Sequence, residues 1–105
     1  MADDEVKELS RLFKALSDET RLRLLKILAD QPEEDALCVG ALALRLGVTQ
    51  SAVSQHLAIL RAVGLVVDER RGYFVHYRLN RGSLGRLRAL AEGVLGGELS
   101  RARAT

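Results

Sequence analysis

The sequence has one cysteine, one proline and no tryptophan. A lone cysteine, Cys38, cannot close an internal disulfide, which fits a reducing compartment. No apolar run approaches the ~18 residues needed to span a bilayer, so no membrane contact is expected. The opening Met1-Ala2-Asp3-Asp4-Glu5 is acidic and lacks the positive start and apolar stretch of a secretion signal, which points to the cytoplasm. Repeats, low-complexity tracts and long internal linkers are also absent, so the 105 residues are expected to form one domain. A glycine-rich phosphate loop and a carboxylate pair are missing too. The ready candidates for nucleophile or base are Cys38, His56 and His76, on three separate predicted elements, whereas catalysis needs such groups gathered in one cleft. No enzymatic activity and no cofactor are expected.

What is present suits an ordinary globular chain: 48% hydrophobic and 29% charged residues. The net charge of +2 says little, but its distribution says more. Residues 1–37 carry six Lys/Arg against ten Asp/Glu, residues 45–81 six Arg against two acids, and residues 82–105 four Arg against two Glu. Positive charge therefore gathers in the middle, where it would attract a polyanion at long range.

Helical spacing of Val6, Leu9, Leu12, Phe13 and Leu16 predicts a helix over about 3–16, with Asp3, Asp4 and Glu5 in the turn where the helix dipole favours acids. Ser17 is the expected cap of a second helix, about 18–29, with Arg21, Arg23 and Lys26 reaching solvent. Pro32 and the acidic run behind it end that helix. A short helix over 39–46 stops at Gly47, suited to a left-handed terminus, and Thr49 caps the next, from Gln50 to about Val63. Two short helices joined by Gly47-Val48-Thr49 make a helix-turn-helix over about 39–63. Residues 65–70 and 73–79, rich in β-branched and aromatic types around Arg71-Gly72, predict a two-stranded hairpin, with His76 solvated on its second strand. A closing helix over about 83–99 carries Leu84, Leu87, Ala91, Val94 and Leu95 on one stripe, but Gly93, Gly96 and Gly97 each weaken it by ~1 kcal/mol, so it needs a partner to pack on. The expected fold is mainly α with a two-stranded β-wing: a winged helix-turn-helix, paired as a homodimer through its first and last helices.

In the helix from Gln50 to Val63, Val53, Leu57 and Leu60 share a core-facing stripe. The opposite face carries Gln50, Ser51, Ser54 and Gln55, behind Thr49 and flanked by His56. These side chains donate and accept hydrogen bonds, as base edges in the major groove require. A surface helix without such a task more often carries Glu, Lys and Arg. Arg70 and Arg71 at the hairpin tip suit phosphates or a narrow minor groove. His56 is open to two readings, a phosphate or base contact or a packing residue bonded to a backbone carbonyl.

The run from Leu12 to Leu25 (LFKALSDETRLRLL), with Leu37-Cys38-Val39-Gly40, Ser51-Ala52-Val53-Ser54-Gln55-His56-Leu57, Leu60 to Val66 and His76-Tyr77-Arg78-Leu79, resembles the ArsR/SmtB family of winged-helix repressors across about residues 9–80. The resemblance implies a homodimer, DNA reading by the helix that holds Ser51 to His56, and release of an operator when an inducer binds. Two recognition helices ~34 Å apart imply an imperfectly palindromic operator in double-stranded DNA. The family's metal chemistry is not visible. Where the pattern has Cys-Val-Cys, this chain has Cys38-Val39-Gly40, and between Ser83 and Thr105 only Glu92 and Glu98 could coordinate anything. A single thiolate does not satisfy the three or four ligands a soft ion takes. No metal site is expected, and the inducer is unassigned. Cys38 is read first as a small half-buried residue at a helix start, and alternatively as a redox-responsive thiol. The rival function is a winged-helix interaction module without DNA binding, since fold alone does not settle function.

Overall fold

The computed structural model describes residues 2–32 and 36–97. Their order is α1 (Ala2–Leu16), α2 (Glu19–Asp30), β1 (Leu37–Cys38), α3 (Val39–Leu46), α4 (Gln50–Ala62), β2 (Val66–Arg71), β3 (Phe74–Leu79) and α5 (Arg81–Leu95). The helices and the hairpin follow the sequence pattern. The addition is β1, which makes the sheet three-stranded in the order β1-β3-β2. Two residues are too few to show alternation, and this strand exists because Leu37 and Cys38 pair antiparallel with Tyr77 and His76 of β3. In the wing, Val66 pairs with Leu79 and Arg71 with Phe74, so the turn is Gly72-Tyr73, one residue later than Arg71-Gly72. Gly72 has φ +64°, and a two-residue hairpin with a positive φ at its first central position calls for glycine there.

Local chemistry sets most helix ends. Thr49 caps α4 as expected, its hydroxyl accepting from the Ala52 N–H at 3.1 Å. Gly47 takes φ +68° at the end of α3, and its N–H and that of Val48 both reach the Ala43 carbonyl. This left-handed terminus makes the sharp turn that lets α4 cross α3. The cap of α2 is Asp18 rather than Ser17: the Asp18 carboxylate accepts from the Arg21 N–H at 3.0 Å, while the Ser17 hydroxyl donates back to the Lys14 carbonyl at 2.9 Å. A carboxylate is the stronger acceptor at a positive helix N-terminus, which explains the shift. Asn80 does the same for α5, accepting from the Ser83 N–H at 3.2 Å, so that helix begins at Arg81 instead of Ser83. It ends at Leu95, before Gly96. Residues 33–35 of the acidic run and residues 98 and 99 of the expected last helix lie outside the described residues.

Leu24, Leu42, Val53, Leu57, Leu60 and Leu65 are fully shielded and form the centre between α2, α3, α4 and the sheet. Around it α1 lies along α5, burying Leu9, Leu12, Ala15 and Leu90. The apolar face of α1 is wider than this packing uses: Val6 remains 48% exposed and Phe13 44%. Arg86 of α5 clamps Glu8 of α1 with two parallel bonds, Nε–Oε2 at 3.1 Å and Nη2–Oε1 at 2.9 Å. The bonds from Arg86 hold the Glu8 carboxyl below its ordinary 4.5. A lowered carboxylate pKa contributes stability above the ordinary value that is lost as pH falls through the lowered one. Acid below pH 4.5 should therefore loosen α1 from α5, and Arg86→Gln should flatten this part of a melting-temperature–pH profile.

Candidate nucleic-acid interface

The buried stripe Val53, Leu57 and Leu60 fixes the rotation of α4, and that rotation decides what the opposite face offers. Thr49, Gln50, Ser51, Ser54 and Gln55 are all exposed, in the first two turns of the helix. No ion pair among the described residues involves this face, so it presents neutral donors and acceptors. Arg70 and Arg71 are exposed at the end of β2. Arg71 leans on Glu69, Nη2 to Oε2 at 3.5 Å, whereas Arg70 has no carboxylate partner among the described residues. At the wing base, Arg61 of α4 meets Asp68 of β2 at 3.3 Å.

His56 is the site residue that stands apart. Its side chain is only 22% exposed, and it turns from the Gln50–Gln55 face toward the start of α2. There Nδ1 lies 3.3 Å from Nη1 of Arg21 and 3.8 Å from Oδ2 of Asp18. Arg21, expected in solvent, is half-buried: its Nε donates to the Ala15 carbonyl and its Nη2 to that of Lys14 at 3.4 Å. The last carbonyls of α1 lack helical partners, and a forked guanidinium satisfies them better than water does. Asp18 is held below its ordinary 3.8, first by the Arg21 N–H and further by the charge of Arg21. The neighbours of His56 Nδ1 are thus side chains and not a backbone carbonyl.

The wing adds two residues that the sequence reading did not single out. Tyr73 is 97% exposed and Phe74 64%, so two of the four aromatic side chains of the chain stand at the tip. With Val75 they form one wall of an open cleft of about 250 Å³, and Gly40 and Gln50 form the other. The signal was present as two aromatics directly after Arg71-Gly72, but a strand pattern absorbs aromatics without marking them as exposed.

Cys38 is half-buried at the junction of β1 and α3, with no side-chain cap bond, opposite His76. His76, paired with β1 on one side and β2 on the other, is half-buried, and its Nδ1 is buried without a hydrogen-bond partner. Among the described residues no three His, Cys, Asp or Glu side chains come together to hold a metal ion, and α5 supplies only Glu92. No helix of the described chain is long and apolar enough to cross a membrane.

A helix-turn-helix whose second helix shows a neutral polar face, beside a hairpin tipped with arginine, defines a winged helix-turn-helix domain. The model of the arsR family of bacterial regulatory proteins matches residues 18–67. The arsenical resistance operon repressor of Escherichia coli (strain K12) is 46% identical over 70 residues, 67% of this chain and 57% of that protein. An ArsR-like transcriptional regulator from Rhodococcus sp. RHA1 superposes with a TM-score of 0.77 at 34% identity, covering 94% of this chain and 89% of that one. A homodimeric winged helix-turn-helix DNA-binding domain from Mycobacterium bovis, solved in solution, superposes with a TM-score of 0.67 at 30% identity, covering 85% and 79%. The chain belongs to the ArsR family of bacterial regulatory proteins, a family of regulators and not of enzymes. It spans little more than half the length of the first curated relatives it matches.

Proposed function

We propose that the protein is a cytoplasmic transcriptional repressor that binds an imperfectly palindromic operator in double-stranded DNA as a homodimer and lets go when an inducer binds. The observation that carries this reading is the face of Gln50, Ser51, Ser54 and Gln55, exposed and uncharged on a helix anchored from behind by three fully buried residues. Glutamine pairs with adenine and serine adapts to several bases, and the N-terminal turns of a recognition helix make most base contacts. Thr49 begins this surface, and the wing arginines contribute phosphate contacts. A dimer is supported by the apolar residues α1 and α5 leave uncovered, and by the homodimeric relative from Mycobacterium bovis. The inducer is not a metal at the residues the family resemblance points to, and Cys38 serves packing at the β1–α3 junction.

The test is fluorescence anisotropy on the DNA upstream of the protein's own gene, over a salt series and with nonspecific competitor. Tight binding that survives competitor supports the reading. Weak binding, equal on all sequences, sinks it in favour of an interaction module, for which the exposed Leu44 and Tyr73 would be the contact residues. Two variants should separate base from backbone contacts. Gln50→Ala should lose ~1–3 kcal/mol of discrimination between operator and scrambled DNA. Arg70→Ala should weaken all sequences alike and lower the salt slope by ~1. Reversal of these behaviours would mean that the surfaces are assigned the wrong way round.

A further inference from the structure

The Arg21 guanidinium is shared between two helices. Two of its nitrogens are committed to the carbonyls of Ala15 and Lys14 at the end of α1, and the third meets His56 Nδ1 on α4 at 3.3 Å. Its backbone N–H is held by Asp18, whose carboxylate also lies beside the ring at 3.8 Å. A guanidinium only donates, so a hydrogen bond between the two requires Nδ1 to accept and puts the imidazole proton on Nε2, whereas a proton on Nδ1 would face the Asp18 carboxylate instead. Nε2 has no partner among the described residues, and the side chain keeps 22% exposure at the flank of the Gln50–Gln55 face. On a recognition helix the flank meets the sugar–phosphate backbone while the centre meets base edges.

We infer that Arg21 is the positioning residue for His56: it fixes the ring's tautomer and tilt, so that α4 offers Nε2–H as a neutral donor to a DNA phosphate. This rests on the DNA-binding reading above. The same guanidinium binds the end of α1 to α4, so a shift of α1 changes the aim of this donor. A neutral donor releases no counterion, and its contact therefore adds affinity without adding to the salt slope.

The test has two arms on the full chain. Nitrogen-15 imidazole spectra without DNA, at about pH 8 where an ordinary histidine is neutral, should show His56 as one tautomer protonated on Nε2. Arg21→Met should turn that into a mixture of tautomers. A mixture in the unaltered protein, or one tautomer that persists in Arg21→Met, overturns the inference whatever the protein binds. In anisotropy, His56→Ala and Arg21→Met should each lose about tenfold in affinity on operator and scrambled DNA alike, with the salt slope unchanged. His56→Gln, whose amide nitrogen replaces Nε2–H, should stay within about threefold of the unaltered protein. Combining Arg21→Met with His56→Ala should add little to either alone, because one acts through the other. Additive losses, or a salt slope that falls by ~1 in Arg21→Met, would make Arg21 a phosphate contact itself and overturn its positioning role. If Arg21→Met does not fold, the spectrum of the unaltered protein and the contrast of His56→Ala with His56→Gln still decide. Absence of any operator binding together with a single Nε2–H tautomer would refute the DNA reading and leave the geometry standing.

Discussion

Replacing Phe13 and Leu95 together by glutamate should leave a folded monomer that has lost ~10²–10⁴-fold in operator affinity. Both side chains are already exposed in one copy of the chain, Phe13 at 44% and Leu95 at 67%, so the folded monomer loses little by the change. With Val6, Leu9 and Val94 they line an open groove of about 430 Å³ between α1 and α5. Contiguous exposed apolar surface of this kind is uncommon on a monomer, and a second copy would bury it. A two-fold pair engages two half-sites at once, and a monomer forfeits the local concentration that the first contact gives the second. Sedimentation would give the assembly state and anisotropy the affinity. A double variant that remains dimeric would place the pairing surface elsewhere, and a monomer with full affinity would mean that one copy suffices.

The second large effect is on stability. Leu57→Ala removes a side chain with no exposure at the centre of the core and should cost ~2–5 kcal/mol, the lost transfer energy plus the cavity left behind. Against a total stability of ~5–15 kcal/mol this lowers the melting temperature by ~10 °C or more. Ile59, two residues away on the same helix, is 42% exposed, and Ile59→Ala should cost under ~1 kcal/mol. Calorimetry at one protein concentration checks both, since a dimer's melting temperature depends on concentration. Equal losses at the two positions would contradict the rotation of α4 on which its exposed polar face depends.

That rotation was legible in the sequence because it follows from local spacing: Val53, Leu57 and Leu60 mark one side of a helix wherever it sits. Thr49 and Gly47 were legible for the same reason, since a hydroxyl cap and a left-handed terminus act within a few residues of themselves. Features that depend on distant partners were not. Leu37-Cys38 is a strand only because β3 lies beside it. Arg21 occupies a position that helical periodicity assigns to solvent, yet the end of α1 and His56 both need its donors. His76 alternates outward on a strand, but with β1 paired alongside, the residue is half-buried and its Nδ1 is shut off from solvent. Of the candidate site, the polar face and the arginine tip could be read from residue types. The turned-in His56 and the exposed Tyr73 and Phe74 needed the neighbouring elements in place.

The two-residue strand β1 has a mechanical consequence. It stitches the start of α3 to β3, so the hairpin is pinned at its base to the helix that precedes the turn. Arg61 and Asp68 add a second rivet between α4 and β2. The hairpin and α4 then stand as the two jaws of a caliper, joined at these two points. On the proposed reading, DNA whose grooves match the gap between them would meet both jaws together.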